Sequence, residues 1–159
     1  IIEKGAFHCY IKFPRLLQSF KLSNLEAEKI LVRIDTVKKE KHFKPQLFIL
    51  NKFDVYRSIL VNPIDIILSQ KLMAIIGRHR KKGRDFYDVS YLYNKTEVNF
   101  SYILKNYSLN KKDFFKKLLT VCHDLDFKAL SKDVEPFLIF PEQAKRVIDF
   151  ESFIKTKIL

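Results

Sequence analysis

The amino-acid sequence predicts an α/β fold of the α+β type, in which a small mixed sheet in the N-terminal third is followed by a helical half. Residues before position 62 are rich in β-formers, whereas apolar residues recur at three- and four-residue intervals from Asn62-Pro63 onward. The 159 residues are 47% hydrophobic, which suffices for one buried core and excludes wholesale disorder. We expect a β-rich part, 1–62, and a helical part, 63–159, in one structural unit.

Four stretches of the β-rich part predict strands: Phe7–Phe13 before Pro14, Lys29–Val37, Gln46–Leu50 and Val55–Val61. The second has the clearest alternation, with Ile30, Val32 and Ile34 on one face and Leu31, Arg33 and Asp35 on the other. Asn51–Lys52 is the predicted tip of a hairpin between the last two strands.

The helical part begins at Asn62-Pro63, because asparagine can cap a helix and proline is tolerated in a first turn. Apolar periodicity then predicts a helix over Ile64–Gly77. Arg78–Arg84 is a basic connection closed by Gly83, and a second helix is predicted from about Asp85 to Tyr93.

Three or four further helices are predicted from Asn99 onward, with breaks near Asn110, around Asp124–Asp126, and at Pro136 and Pro141. The apolar run Phe137–Phe140 between the two prolines has an alternative interpretation as a short edge strand. Phe150–Ile158 is amphipathic and is either a terminal helix that closes the core or a segment that faces a protein partner.

The formal net charge is +12, from 30 Lys and Arg against 18 Asp and Glu. A small domain this basic attracts polyanions such as nucleic acid or nucleotide phosphate. A lysine-rich surface from an A/T-biased genome would give the same charge without such a partner, so charge alone decides nothing.

Several classes of protein are disfavoured by the sequence. Cys9 and Cys122 lie far apart, which argues against a disulfide framework, and the four histidines show no zinc-ligand spacing. No segment has the apolar length to span a bilayer, and no secretory signal opens the chain, so we expect a cytoplasmic protein. The start at Ile1 without methionine indicates a trimmed chain or the downstream part of a longer one.

Lys71 is the first anomaly in the helical part. It is predicted to fall in the middle of an apolar stripe on the first helix, formed by Ile64, Ile67, Leu68 and Ile75. A lysine in such a place must snorkel to solvent, pair with an acid or meet an anionic ligand, because an unpaired buried ammonium is costly.

The second helix carries a matching anomaly, since Asp85 and Asp88 share a face with Val89 and Leu92. The helix dipole and salt bridges to the preceding basic residues explain Asp85 in part. Asp88 lies one turn further in. Its carboxylate is expected to hold an arginine of the basic connection, to orient Lys71 or to help bind a divalent metal.

The basic connection is a candidate phosphate-binding segment. Its cations Arg78, Arg80, Lys82 and Arg84 would give a local positive potential for a triphosphate or an RNA backbone. The alternative is an ordinary solvated turn. Nearby tyrosines at positions 87, 91 and 93 either stack on bases or, more often for such spacing, pack.

Asp35 is the third candidate element. It shares its side of a predicted strand with Arg33, so a surface ion pair is the simple interpretation. The functional interpretation is a carboxylate at a strand end that projects toward the Lys71 cleft.

A family resemblance follows from these residues. Gln70–Ile76, Arg78 and Arg84–Val89 with Leu92 resemble the "K-L-x-A … R … R-D-x-x-D" signature of the AbiEii/AbiGii nucleotidyltransferase-like toxins. Val32–Asp35 resembles the strand that carries the third carboxylate in the wider polymerase-β-like superfamily. The resemblance covers roughly residues 29–94 and implies a nucleotidyltransferase-like scaffold.

The resemblance implies a chemistry and a set of roles. Members transfer a nucleotide from a nucleoside triphosphate to an acceptor, tRNA in some cases, with Mg²⁺, and are paired with a cognate antitoxin. Lys71 would contact the triphosphate, Asp85 and Asp88 would complete the catalytic site, and Asp35 would support the metal.

One part of the family pattern is missing, because no Gly-Gly-Ser/Thr loop and no Asp-x-Asp pair precede Asp35. In-line phosphoryl transfer depends on metal-bound carboxylates for charge stabilisation. The chain is therefore expected to be the C-terminal part of such a toxin, inactive alone. The alternative is a catalytically inert basic module on the same scaffold that binds RNA or another partner.

Overall fold

A computed structural model describes residues 2–3, 6–37 and 42–158. The predicted α+β class is confirmed: strands dominate the N-terminal part and helices the remainder. The chain divides into two compact units, 1–40 and 41–159, so the hairpin of residues 46–61 belongs to the same unit as the helices.

The first unit contains a three-stranded antiparallel sheet with the order β1 (Ile2–Glu3), β2 (Ala6–Pro14) and β3 (Lys29–Val37). A short helix, α1 (Leu16–Ser19), follows β2. The pairing of β2 with β3 places His8 opposite Asp35 and Tyr10 opposite Arg33. The predicted bounds of Lys29–Val37 are confirmed, because alternating β-branched residues favour an extended strand over its whole length.

The second unit begins with an antiparallel hairpin of β4 (Gln46–Lys52) and β5 (Val55–Val61). The predicted tip at Asn51–Lys52 is wrong by two residues, because Lys52 still pairs with Val55 and the turn falls at Phe53-Asp54. Phe53 adopts a left-handed conformation there, with φ of 53°. Each sheet pairs neighbouring strands, which gives two antiparallel sheets where the sequence predicted a mixed one.

The helices of the second unit are α2 (Ile64–Gly77), α3 (Gly83–Leu92), α4 (Phe100–Tyr107), α5 (Lys111–His123), α6 (Phe127–Val134), α7 (Lys145–Ile148) and α8 (Phe150–Lys155). Two 3₁₀ helices, Glu135–Phe137 and Pro141–Ala144, separate α6 from α7. The predicted breaks are confirmed, and the edge strand at Phe137–Phe140 is wrong. None of the described helices is long and apolar enough to cross a membrane.

Two predicted helix starts need correction. Asn62 does not cap α2, because Pro63 occupies the N-cap position, and the free Ile66 amide in the first turn donates instead to the Asp65 side chain at 2.9 Å. The helix α3 begins at Gly83 and not near Asp85, after an extended Lys82. Glycine permits this earlier start, because the first turn of α3 lies against the backbone of α6.

The core of the second unit joins α2, α3, α4, α5 and the terminal helices. Phe86 of α3 meets Phe150 of α8 edge-to-face at 4.9 Å, and both side chains are fully buried, as is Ile154. The terminal segment therefore closes the core, one of its two predicted roles. The predicted stripe on α2 is confirmed at Leu68 and Ile75, which are buried, but wrong at Ile64, which is exposed, and it omits the buried Ile66 and Leu72.

Gly83 lies directly against the backbone of α6. A Cβ atom added to Gly83 would lie 2.0 Å from the carbonyl oxygen of Leu130 in α6, whereas one added to Gly77 would meet nothing within 4 Å. Any side chain at position 83 must therefore push α3 and α6 apart.

We expect Gly83→Ala to lower the free energy of unfolding by about 1–3 kcal/mol through this overpacking. Gly77→Ala is the matched control and is expected to be neutral or to stabilise by up to about 1 kcal/mol, because alanine favours helix. Urea unfolding followed by circular dichroism gives both values. Equal stability of the two variants would contradict the packing of α3 on α6.

Candidate functional site

Four charged side chains from α2, α3 and their connection form an ion cluster. Lys71 Nζ lies 3.1 Å from Asp85 Oδ1 and 2.7 Å from Asp88 Oδ2. Arg78, directly after α2, places Nη1 2.9 Å from the other oxygen of Asp85. The pairing exists because Asp85 and Asp88 lie one turn apart on α3 and face α2 together.

Burial divides this cluster into an inner carboxylate and three outer groups. The Asp85 side chain is 1% exposed, whereas Lys71, Asp88 and Arg78 are 30%, 37% and 41% exposed. A buried carboxylate is tolerated only when it is paired. Asp85 therefore holds two cations together, and both remain accessible from solvent.

The contact between Arg78 and Asp85 is electrostatic and not a directed hydrogen bond. Although Nη1 is 2.9 Å from Oδ2, this buried oxygen has no partner with hydrogen-bond geometry among the residues that the structure describes. The Arg78 guanidinium still balances the charge of the Asp85 carboxylate at this distance, because Coulomb attraction does not require an aligned N–H.

The sequence left three outcomes open for Lys71, and the one that the structure shows is pairing with an acid. Its predicted position in the middle of the apolar stripe is wrong, because α2 is apolar almost all round and packs through Leu68, Leu72 and Ile75. Lys71 lies at the edge of that face. Asp88 does orient Lys71, as one of its predicted roles requires.

The basic connection is only partly a free cationic surface. The Lys81 ammonium donates to the carbonyl oxygens of Ile76 at 3.2 Å and Arg78 at 2.6 Å, so it caps the C-terminal end of α2. This role of Lys81 was not predicted from the sequence, although a lysine shortly after a helix end is its signal. Arg80, Lys82 and Arg84 form no ion pair with any described residue.

The three tyrosines of α3 and its C-terminal end are packing residues. Tyr91 lies between the nearly parallel ring of Tyr87, with centroids 6.5 Å apart, and the Lys95 ammonium, 4.2 Å from its centroid. Tyr87 also donates to the Gln143 side chain. Burial raises the pKa of Tyr93 to about 12.

Asp35 belongs to the first unit. Its Oδ1 atom lies 2.6 Å from His8 Nδ1 and accepts from Arg33 Nε at 2.7 Å, so the simple interpretation as a surface ion pair is confirmed. The hydrogen bonds from His8 and Arg33 lower the pKa of Asp35 below its ordinary value of 3.8. Its projection toward Lys71 and its support of a metal stay predictions.

The described residues contain no group of three or more His, Cys, Asp or Glu side chains that could hold a metal ion. Asp85 and Asp88 provide carboxylate oxygens, the ligand type that Mg²⁺ prefers, but Lys71 is bound to both. These residues alone therefore do not fit a magnesium site.

A family model described as nucleotidyl transferase AbiEii toxin, type IV TA system, matches residues 7–154. The match takes in all of β3, β4 and β5, nearly all of β2 and nearly all of the helical part. The chain therefore belongs to the AbiEii nucleotidyl transferase toxin family of type IV toxin–antitoxin systems, and the resemblance seen in the sequence is confirmed. Comparison with the curated proteins and with the solved structures gives no match.

We expect His8→Ala to raise the pKa of Asp35 toward its ordinary value, because the largest interaction that favours the ionised carboxylate is lost. Titration of the Asp35 carboxyl carbon by NMR measures the shift. Arg33→Gln should raise the pKa as well, because it removes the Arg33 hydrogen bond and the Coulomb attraction of the guanidinium. A pKa unchanged by either substitution would show that the His8–Asp35–Arg33 contacts do not form in solution.

Proposed function

We propose that the ion cluster binds the phosphates of a nucleoside triphosphate, whose nucleotide is transferred to an acceptor such as tRNA. The observation that carries the proposal is the buried Asp85 carboxylate, which holds Lys71 and Arg78 side by side at the protein surface. Two converging cations match the charge and spacing of a polyphosphate better than either does alone.

Lys71 and Arg78 bind phosphate oxygens in this proposal, and Asp85 positions them. Asp88 occupies the outer side of Lys71 and is itself over a third exposed, so an incoming phosphate can replace it without opening the core. A triphosphate carries more negative charge than one carboxylate and offers more acceptor oxygens. The released Asp88 is then free to contact the reacting hydroxyl or a cation.

Arg80, Lys82 and Arg84 add positive potential beside the cluster. They lie within the connection and the first turn of α3, and no described carboxylate neutralises them. Such charges attract a triphosphate or an RNA backbone over several ångströms and raise the rate of encounter. We propose them as the phosphate-binding residues that flank Lys71.

We include magnesium in the proposal because of the family to which the chain belongs, since the described residues alone do not fit a magnesium site. When bound, Mg²⁺ neutralises the charge that develops on the transferred phosphoryl group and the leaving group. We propose Asp35 as one supporting carboxylate, and further ligands are needed to complete such a site. The step assigned to this chain is therefore the binding and orientation of the triphosphate.

The family also gives the biological setting of the proposed activity. A type IV toxin–antitoxin system pairs the toxin with a cognate antitoxin. We propose that such an antitoxin exists for this chain, and assign it no contact surface.

A catalytically inert RNA-binding module is the second candidate function. It is favoured by one observation: Lys71 is already neutralised by two carboxylates, while three cations of the same region are not. This candidate requires polyanion binding to depend on the unpaired cations and not on Lys71.

We expect Lys71→Ala to weaken triphosphate binding about 10- to 100-fold, since charge-assisted hydrogen bonds contribute about 1.5–3 kcal/mol each. Isothermal titration with ATP, GTP, CTP and UTP in magnesium buffer measures the effect. Lys112→Ala removes an exposed lysine of α5 as the matched control and should change nothing. Equal affinities in the two variants would reject the role of Lys71.

A further inference from the structure

The segment between Pro136 and Pro141 exposes more apolar surface than its neighbours. Phe137, Ile139 and Phe140 are 83%, 89% and 56% exposed. No described ring packs against Phe137 or Phe140, and no described cation lies over either. Clustered exposed apolar residues of this kind mark interaction sites.

Two cations of the basic connection lie beside this segment. Lys82, Arg84, Asp133 and Phe137 line one cavity of about 410 Å³. The Asp133 carboxylate accepts the backbone N–H of Gly83 at 3.2 Å and lies beyond ion-pair distance of either cation. The cavity therefore joins an uncovered aromatic ring to two cations that no described carboxylate neutralises.

The cavity is held in shape by the packing of α3 on α6. Gly83, between the two cations, is buried against the backbone of Leu130, and the 3₁₀ helix that carries Phe137 follows directly after α6. Lys82, Arg84 and Phe137 are consequently presented by rigid elements. A backbone that is already in place at all three positions lowers the entropy that is lost when the surface binds a ligand.

We propose that this surface, formed by Phe137, Lys82 and Arg84, binds single-stranded RNA, with a base stacked on Phe137 and the backbone phosphates on the two cations. Strand-binding proteins combine cationic grooves with aromatic rings in this way, because every base has a π-face and every nucleotide a phosphate. The net charge of +12 favours the same partner over an apolar or basic protein.

The proposed strand-binding surface adjoins the ion cluster. Arg84 lies on this surface and the next residue, Asp85, is the buried centre of the cluster. A strand held by Arg84 would therefore lie close to the ion cluster. That this strand is the acceptor of the nucleotide rests on the proposed function. Binding of the strand itself is measured separately from triphosphate binding.

The test uses the whole chain and a labelled single-stranded RNA of about 12 nucleotides, followed by fluorescence anisotropy, with heparin as a polyanion that has no bases. Phe137→Ala should weaken RNA binding about 5- to 100-fold and leave heparin binding within about twofold. Phe137→Tyr should restore RNA binding. Phe53→Ala and Ile139→Ala, at positions 90% and 89% exposed, are the matched controls and should have little effect.

The cations are tested in the same assay. Lys82→Gln and Arg84→Gln should weaken the binding of both RNA and heparin. Each substitution should also reduce the slope of log affinity against log salt concentration by about 0.7. The proposal is overturned if Phe137→Ala weakens RNA binding no more than Phe53→Ala does. It is also overturned if Ile139→Ala weakens RNA binding as much as Phe137→Ala does, because that result indicates an apolar docking face. Lys71→Ala should bind RNA with unchanged affinity. Loss of the triphosphate site can therefore be distinguished from loss of the strand-binding surface.

Discussion

The arrangement of the helical unit depends on the ion contacts of one buried carboxylate, Asp85. The side chain is 1% exposed and is flanked by Lys71 on α2 and Arg78 on the connection. Removal of either cation would leave an under-compensated charge in the interior, a change that costs several kcal/mol in proteins where it is fully buried. Asp85 thus fixes α3 against α2 and determines where the two cations reach the surface.

The four residues of the first turn of α3 face different parts of the structure. Gly83 packs on the backbone of α6, Arg84 faces solvent, Asp85 faces α2 and Phe86 enters the core. Because a helix turns about 100° per residue, four successive positions face four directions. This turn therefore links the core, the ion cluster and the exposed Phe137, and one shift of α3 would alter all three.

Much of this could be predicted from the sequence, for physical reasons that differ between elements. Alternation predicted the bounds of β3, and the i, i+3 spacing predicted that Asp85 and Asp88 share a face. The packed face of α2 could be predicted only in part, at Leu68 and Ile75, because a helix that is apolar almost all round gives a weak periodic signal. The burial of Gly83 and the capping by Lys81 depend on contacts between separate elements and leave only weak local signals.

The most direct test of the account compares triphosphate affinity in Asp85→Asn and Asp88→Asn by isothermal titration, with circular dichroism to confirm folding. In the function that we propose, Asp88 competes with phosphate for Lys71, whereas Asp85 holds Lys71 and Arg78 together. The account predicts tighter binding in Asp88→Asn and weaker binding in Asp85→Asn. Equal shifts in the same direction, or no shift in either variant, would contradict the central role of Asp85.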